Sequence, residues 1–407
     1  MSYKRLGNYI RLVNIRNKDL ETETLLGVSI TKKLIPSIAN TIGTDMSVYK
    51  IIERRQFAYG TVTSRNGDKI SIALSDQYDK ALVSQIYVVF EVIDTDELLP
   101  EYLMMWFSRP EFDRYARFHS HGSTRETFDW EDMCEVELPI PSIEEQNKIV
   151  AQYQSIENKI KINEQICEKL ETTAQTLYKH WFEDFEFPDE NRKPYKSSGG
   201  KMFCNEELGK EIPEGWEIVK VKEFCDEMRS GGTPNRDNLN YWNSNDIPWL
   251  KTGEISNNVV FETEEYISKE GFKNSSARLI PAESVLMAMY GATAGQLSYL
   301  KKELTTNQAC CAMICFEKEK SAFLYYALLH QQKQIQTLAI GGAQPNLSKQ
   351  IIEGVDLILP TNLKKVSFFK FANIIDLKAY KTLENIKLTR LQSLLLSRLT
   401  VGEEVEV

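Results

Sequence analysis

A chain of 407 residues has room for two or three domains, each with its own core. With 42% hydrophobic and 26% charged residues it has the composition of an ordinary soluble protein, and no apolar run is long enough to span a bilayer. The net charge of −9 excludes a uniformly basic nucleic-acid binder, but a local basic face stays open because the globular stretches are each close to neutral. The opening MSYKRLGNYIRL lacks the apolar core of a leader peptide. Seven cysteines show no recurring C-x-x-C spacing and four histidines complete no ligand set. Core thiols in a reducing cytosol and no metal site are therefore expected.

Residues 1–141 read as a first globular domain. Strand-like runs, such as Lys69–Leu74 and Leu82–Val92, are separated by Gly and Asp turns. Basic and polar side chains with phosphate- or base-binding chemistry are Arg54, Arg55, Arg65 and Asn66. The stretch Pro100–Phe118 is helical in pattern. A polar loop follows with His119, His121, Ser123, Thr124 and Arg125, which suits DNA contact as readily as plain solvation.

Residues 142–182 carry the clearest signal. Apolar or small residues at Ile149, Tyr153, Ile156, Ile160, Cys167, Leu170, Ala174, Leu177 and Trp181 alternate in steps of four and three, with Asn163 filling one gap. That is a heptad seam on a helix roughly 60 Å long. Ser142 and Glu145 form a capping-box pair at its start. A stripe this narrow needs a partner helix. Residues 183–211 are polar, with Pro, Ser and Gly, and read as a linker. Residues 212–360 read as a second globular domain. Its candidate ligand-facing groups are Arg229, Gly231, Gly232, Thr233, Lys251, Asn307, Gln308 and Gln344. Residues 361–400 supply the partner helix, with a seam through Ile375, Ala379, Leu383 and Ile386 and then a slip to Leu391, Leu394 and Leu395. Residues 401–407 are an acidic tail.

Two further features join the helices. The lead-ins Val136-Glu-Leu-Pro-Ile-Pro141 and Val355-Asp-Leu-Ile-Leu-Pro360 match at an offset of 219 residues, as do Gly122–Phe128 and Gly341–Leu347. The chain therefore reads as a tandem duplication of globular unit plus long helix. Residues 142–190 hold 5 Lys/Arg against 11 Asp/Glu, and residues 361–400 hold 8 against 2. Opposite net charges favour pairing, and opposed dipoles mildly favour an antiparallel pair.

The ordered phrases PEGW, GGTP, YW, IPW, GATAG, NQ and QPNLS in the second half, with LPEYLMMWF and LPIPSIEEQNKI in the first, resemble the specificity subunit of type I restriction–modification systems. The resemblance covers nearly the whole chain. It implies a mixed α/β (α+β) fold with internal tandem duplication: two α/β target-recognition domains separated by two long antiparallel helices that form a coiled coil. It also implies a cytoplasmic, non-membrane protein that reads a bipartite double-stranded DNA site and docks two methyltransferase subunits, which motor–nuclease subunits join. Catalysis and cofactors would belong to those partners: S-adenosylmethionine to the methyltransferase, ATP and Mg to the motor–nuclease. The chain has no Asn/Asp-Pro-Pro-aromatic tetrad and no GxxxxGK[ST] loop, which fits a non-catalytic role. A coiled-coil adaptor without nucleic-acid function and a divergent DNA methyltransferase are the alternatives.

If the helices act as a ruler between readers, a four-residue insertion near Lys159 adds about 6 Å while nearly restoring heptad phase. Mapping of methylated sites should then show a spacer lengthened by about one or two base pairs, at ~3.4 Å each. A two-residue insertion should impair assembly instead. An unchanged spacer in a fully active four-residue variant would contradict the ruler.

Overall fold

The computed structural model describes residues 3–38, 43–64, 67, 69–122, 126–206, 209–340, 346–361 and 368–399. The chain forms two compact units, Met1–Ile160 with Ile386–Val407, and Lys161–Asn385. Each unit thus contains half of each long helix.

The first unit contains strands β1 (Tyr3–Arg5), β2 (Ile10–Val13), β3 (Leu25–Val28), β4 (Leu34–Pro36), β5 (Lys50–Glu53), β6 (Phe57–Gly60), β7 (Ile72–Leu74), β8 (Lys80–Val83) and β9 (Tyr87–Val92). Helices α1 (Pro100–Phe107), α2 (Pro110–Phe118) and α3 (Trp130–Cys134), strand β10 (Glu137–Pro139) and long helix α4 (Ile143–Tyr178) follow. Two four-stranded sheets run in the orders β2-β9-β6-β7 and β4-β3-β8-β5, and β1 pairs with β10. Alternation along the strands feeds two cores. Phe57, Tyr59 and Phe90 face α1 and α2, while Ala58 and Val89 face Leu26, Ala81 and Val83. Phe57 and Phe90 stack at 4.8 Å. The single helix expected over Pro100–Phe118 is two, because Pro110 cannot donate a hydrogen bond inside a helix and instead starts a new one.

The second unit contains β11 (Met202–Asn205), β12 (Lys210–Pro213), β13 (Trp216–Lys220), α5 (Val221–Phe224), β14 (Glu227–Ser230), β15 (Ile247–Leu250), β16 (Asn258–Val260) and β17 (Glu265–Ile267). Then come α6 (Lys269–Lys273), β18 (Val285–Ala288), β19 (Leu297–Leu300), β20 (Thr305–Thr306), β21 (Cys310–Ile314), α7 (Lys318–His330), α8 (Gln332–Thr337), α9 (Lys349–Glu353), β22 (Asp356–Pro360) and long helix α10 (Phe369–Arg398). Its main sheet runs β14-β21-β18-β19-β16, and a smaller one runs β17-β15-β20. Strand β21 is wholly buried and carries Cys310 and Cys311 as core thiols. Not every thiol is a core thiol, since Cys204 is exposed. The stretch read as a linker is anchored by aromatics. Phe185 and Phe187 are buried against Trp216, and β11 and β12 form a hairpin.

The duplication survives in the backbone. His121 and Thr127 exchange both backbone hydrogen bonds at 2.9 Å, and Ile340 and Asn346 do so at 3.0 Å, each pair 219 residues from its counterpart. Thr127 also bridges Val62, and Asn346 bridges Tyr290. Each stem leads into a short helix and then a strand, β10 or β22. That strand pairs antiparallel with β1 or β13.

Helix α4 starts at the expected capping box, with Ser142 and Glu145 exchanging hydrogen bonds at 3.3 Å. It ends in a π-helical turn, Lys179–Glu183, that buries Trp181 and Phe182. In the first unit Ile149, Val150 and Tyr153 share a core with Leu396 and Leu399. In the second, Ala174, Leu177 and Tyr178 share one with Phe371, Ala372, Ile375 and Ala379. One helix therefore descends as the other rises, and the pair is antiparallel. All the expected seam positions from Ile149 to Trp181 are buried or half-buried. After Ile386 the packed face of α10 shifts as expected, but onto Leu395 and Leu396, half-buried, and Leu399, buried, while Leu391 and Leu394 are exposed.

Phe371 is fully buried among Tyr178, Trp181, Phe182 and Tyr326. Phe371→Ala should cost about 3–5 kcal/mol in denaturant unfolding. Leu394→Ala, on the exposed face, should change stability by no more than ~0.5 kcal/mol. Equal effects would contradict the assigned seam.

Candidate nucleic-acid interface

In the first unit, the polar candidates fall at opposite ends of β6. At one end, Arg54 donates to the Asp79 carboxylate and to the Asp76 carbonyl, both at 2.7 Å. Arg55, at positive φ, pairs with Glu101 at 2.9 Å. Both are committed to carboxylate partners. At the other end lies the bridged stem. The Thr63 hydroxyl donates to Ser120 at 2.9 Å, and Ser120 donates to the Ala116 carbonyl at 2.6 Å. His119 stacks on Tyr115 at 4.3 Å, and the His121 Nε2 lies 3.9 Å from an Asp132 oxygen. Phe118 is almost fully exposed beside them. Arg65, Asn66, Ser123, Thr124 and Arg125 lie outside the described residues, as does Gln344 in the second unit.

In the second unit the structure gathers several candidates around an open cleft of about 580 Å³. Thr233, Lys251 and Asn307 line it, together with Arg236, Trp249, Thr252, Gly253, Glu254 and Glu264. Gln308 is tied to the rim, where its side-chain oxygen accepts from the Thr233 hydroxyl at 2.6 Å. Asn307 donates to the Thr252 hydroxyl at 3.4 Å. The backbone explains the juxtaposition. Parallel pairing of β15 with β20 sets Trp249–Leu250 beside Thr305–Thr306, so the segments after both strands emerge together. Gly232 is held to Thr306 by a 2.8 Å backbone bond and brings the Thr233–Arg236 segment alongside.

The paired glycines serve this packing. A side chain on Gly231 would meet the Thr306 carbonyl at 2.2 Å, and one on Gly232 would meet Ser276 at 2.3 Å. Both are close approaches of the protein to itself. Arg229 faces elsewhere, donating to the Leu279 carbonyl at 2.8 Å and pairing with Glu227. It is not among the residues lining the cleft.

Sequence reasoning missed Arg236, Glu264 and Glu265. Trp249 is an anchor: it is buried and its Nε1 donates to the Gly232 carbonyl at 3.0 Å. It also backs Arg236, whose guanidinium lies over Trp242 at 3.6 Å and Trp249 at 4.6 Å. Arg236 pairs with Glu265, and Lys251 pairs with Glu264 at 2.9 Å and Glu265 at 3.0 Å. Hydrogen bonds to Glu264 and Glu265 raise the Lys251 pKa. Burial would raise Glu265, but its bonds to Arg236 and Lys251 outweigh that and hold its carboxyl below the ordinary range. The available signal was Arg236 two residues after the GGTP turn, with tryptophans at 242 and 249.

A duplicated α/β unit with paired long helices is the architecture of a type I restriction–modification specificity subunit. The family model of the type I restriction modification DNA specificity domain matches the chain twice, at residues 35–172 and 213–389, and the chain belongs to that family. It is 26% identical over 409 residues to the type I restriction enzyme HindI specificity subunit of Haemophilus influenzae, a match covering 87% of each chain. It is 29% identical over 323 residues to the MjaIX specificity subunit of Methanocaldococcus jannaschii, covering 77% of this chain and 71% of that one. Its fold is similar to that of the type I restriction-modification S subunit from M. genitalium, at a TM-score of 0.57 and 13% identity over 99% and 96% of the two chains. No helix among the described residues is long and apolar enough to cross a membrane.

Because folding holds the Glu265 pKa below its unfolded value, the pair network adds stability that is full above about pH 4.3. That contribution fades as pH falls through the lowered value. Glu265→Gln should therefore melt below the wild type at pH 7, with the gap closing below pH ~4. A gap that is constant with pH would contradict the ion-pair account.

Proposed function

We propose that this subunit reads a bipartite double-stranded DNA site, residues 1–141 meeting one half and residues 212–360 the other. The observation that carries this reading is the repeated stem, His121–Thr127 and Ile340–Asn346, one in each unit and built in the same way. Such a repeat suits two homologous readers with divergent sequences, each tuned to its own half-site. In the second unit the contacts centre on the cleft with Thr233, Lys251, Asn307 and Gln308. In the first they centre on the stem with His119 and His121, with Arg65, Asn66, Ser123, Thr124 and Arg125 as further candidates. Arg54 and Arg55, paired with Asp79 and Glu101 at the other end of β6, then support the first unit, and Arg229 the second.

Two methyltransferase subunits dock on the helix pair, and motor–nuclease subunits join through them. This part of the proposal is supported by a second stripe on α10, distinct from the seam. Phe369, Leu377 and Tyr380 are exposed in the second unit and Leu391 and Leu394 in the first, at spacings that keep one helical face. Methyl transfer with S-adenosylmethionine, and ATP- and Mg-dependent cleavage, belong to the partners. The target base is flipped from the duplex into the methyltransferase.

Replacing residues 212–360 with the corresponding domain of a relative should change one half of the methylated site and leave the other. The check is sequencing of methylated bases from cells expressing the chimera with its methyltransferase. A swap that alters both halves, or neither, would overturn the two-reader proposal.

A further inference from the structure

Arg236 is held on several sides before any ligand arrives. Its guanidinium lies against the faces of Trp242 and Trp249, two indoles set at 86° with centroids 4.9 Å apart. Those indoles are fixed by Nε1 donation to the carbonyls of Asn235, at 3.1 Å, and Gly232, at 3.0 Å. Glu265 pairs with Nη1, and Lys251 holds Glu265 from the other side. The rotamer entropy that a free arginine loses on binding has here been lost during folding. Even so, the Arg236 side chain is 47% exposed and lines the cleft.

Charge separates the ligands this arginine can take. Two cations, Arg236 and Lys251, and two carboxylates, Glu254 and Glu264, line its cleft, and a third carboxylate, Glu265, pairs with both cations. A phosphate entering there meets no excess of positive charge, and both cations already have carboxylate partners. A neutral base edge needs no such excess. The guanidinium carries five N–H donors in a planar fork, and Glu265 engages only its Nη1 end. Guanine offers two adjacent major-groove acceptors, O6 and N7, matched to such a fork, whereas adenine pairs an acceptor with a donor.

We infer that Arg236 reads a guanine in the half-site bound by the second unit, with Glu265 as its positioning residue. The inference rests on the DNA-reading proposal above and assigns a residue and a base within it.

The test uses the full chain co-expressed with its methyltransferase subunits. Arg236→Ala and Arg236→Gln are compared with wild type by genome-wide mapping of methylated bases. Competition binding follows, with duplexes changed one base at a time. Gln keeps a planar polar head over Trp242 but loses the guanidinium fork, so it guards against a folding defect in the Ala variant. The expected result is that one guanine position in one half-site becomes degenerate, its discrimination falling roughly 10- to 100-fold. The other positions should persist. Glu265→Gln should relax the same position less.

Retention of every position in both Arg236 variants would overturn the inference. So would a uniform loss of affinity with a flatter salt slope, which marks a phosphate contact. Failure of both variants to assemble would make Arg236 a packing residue and overturn it equally. The domain swap of residues 212–360 judges the underlying reading separately. A swap that moves a half-site while the Arg236 variants change nothing retires Arg236 alone.

Discussion

Helices α4 and α10 each carry an apolar stripe too narrow to bury itself, and each closes its stripe against the other. That pairing reaches into both cores. At one end Val150 and Tyr153 meet Leu396 and Leu399 beside Leu103 and Phe107; at the other Tyr178 meets Phe371 and Ile375 beside Phe323. The first compact unit is not a contiguous piece of chain, because Ile386–Val407 joins Met1–Ile160 to complete its helical wall, whereas the second spans Lys161–Asn385. A change that unpaired the helices would strip both cores at once.

The seam is not wholly apolar, and its polar layer fixes the alignment. Asn163 is fully buried and donates to Glu384 at 2.9 Å and to the Asn385 side chain at 2.8 Å. Nearby, the Cys167 thiol lies 3.7 Å from the Lys378 carbonyl, and the buried Lys378 ammonium pairs with Glu171. A one-turn slide of either helix would leave these groups buried without partners, at about 1–3 kcal/mol each. Apolar layers alone would tolerate such a slide more cheaply. The layer therefore selects one antiparallel register, in the way buried polar residues fix register in other coiled coils. Farther along, Asp376 of α10 pairs with both Lys301 and Lys318, fastening the helix to the end of β19 and to α7.

The helix pair was legible in the sequence because a heptad is a local pattern. Its capping box and its opposite net charges were legible for the same reason. The duplication was legible because its lead-ins repeat at a fixed offset. What Asn163 does was not, since its partners lie 221 and 222 residues away. The packing of residues 183–211 was hidden by polar composition, although Phe185 and Phe187 decide its fate by covering Trp216. In the cleft, single residue types announced Thr233, Lys251 and Asn307. Arg236 gave only the faint notice of its place after the GGTP turn, because its character comes from two indoles and a carboxylate that folding assembles, with the β15–β17 pairing setting Trp249 beside Glu265. Arg229 looked equally basic in sequence, and only folding turns it toward Glu227 and Leu279.

The proposed role of this chain is to set the DNA specificity of a methylating complex. Mapping methylated bases across the source genome, with and without this gene, tests it most directly. The account predicts a split motif, two short half-sites with an unspecified spacer, that is methylated when the gene is present and unmethylated when it is deleted. A methylation pattern unchanged by the deletion, or one that loses only a single uninterrupted motif, would contradict it.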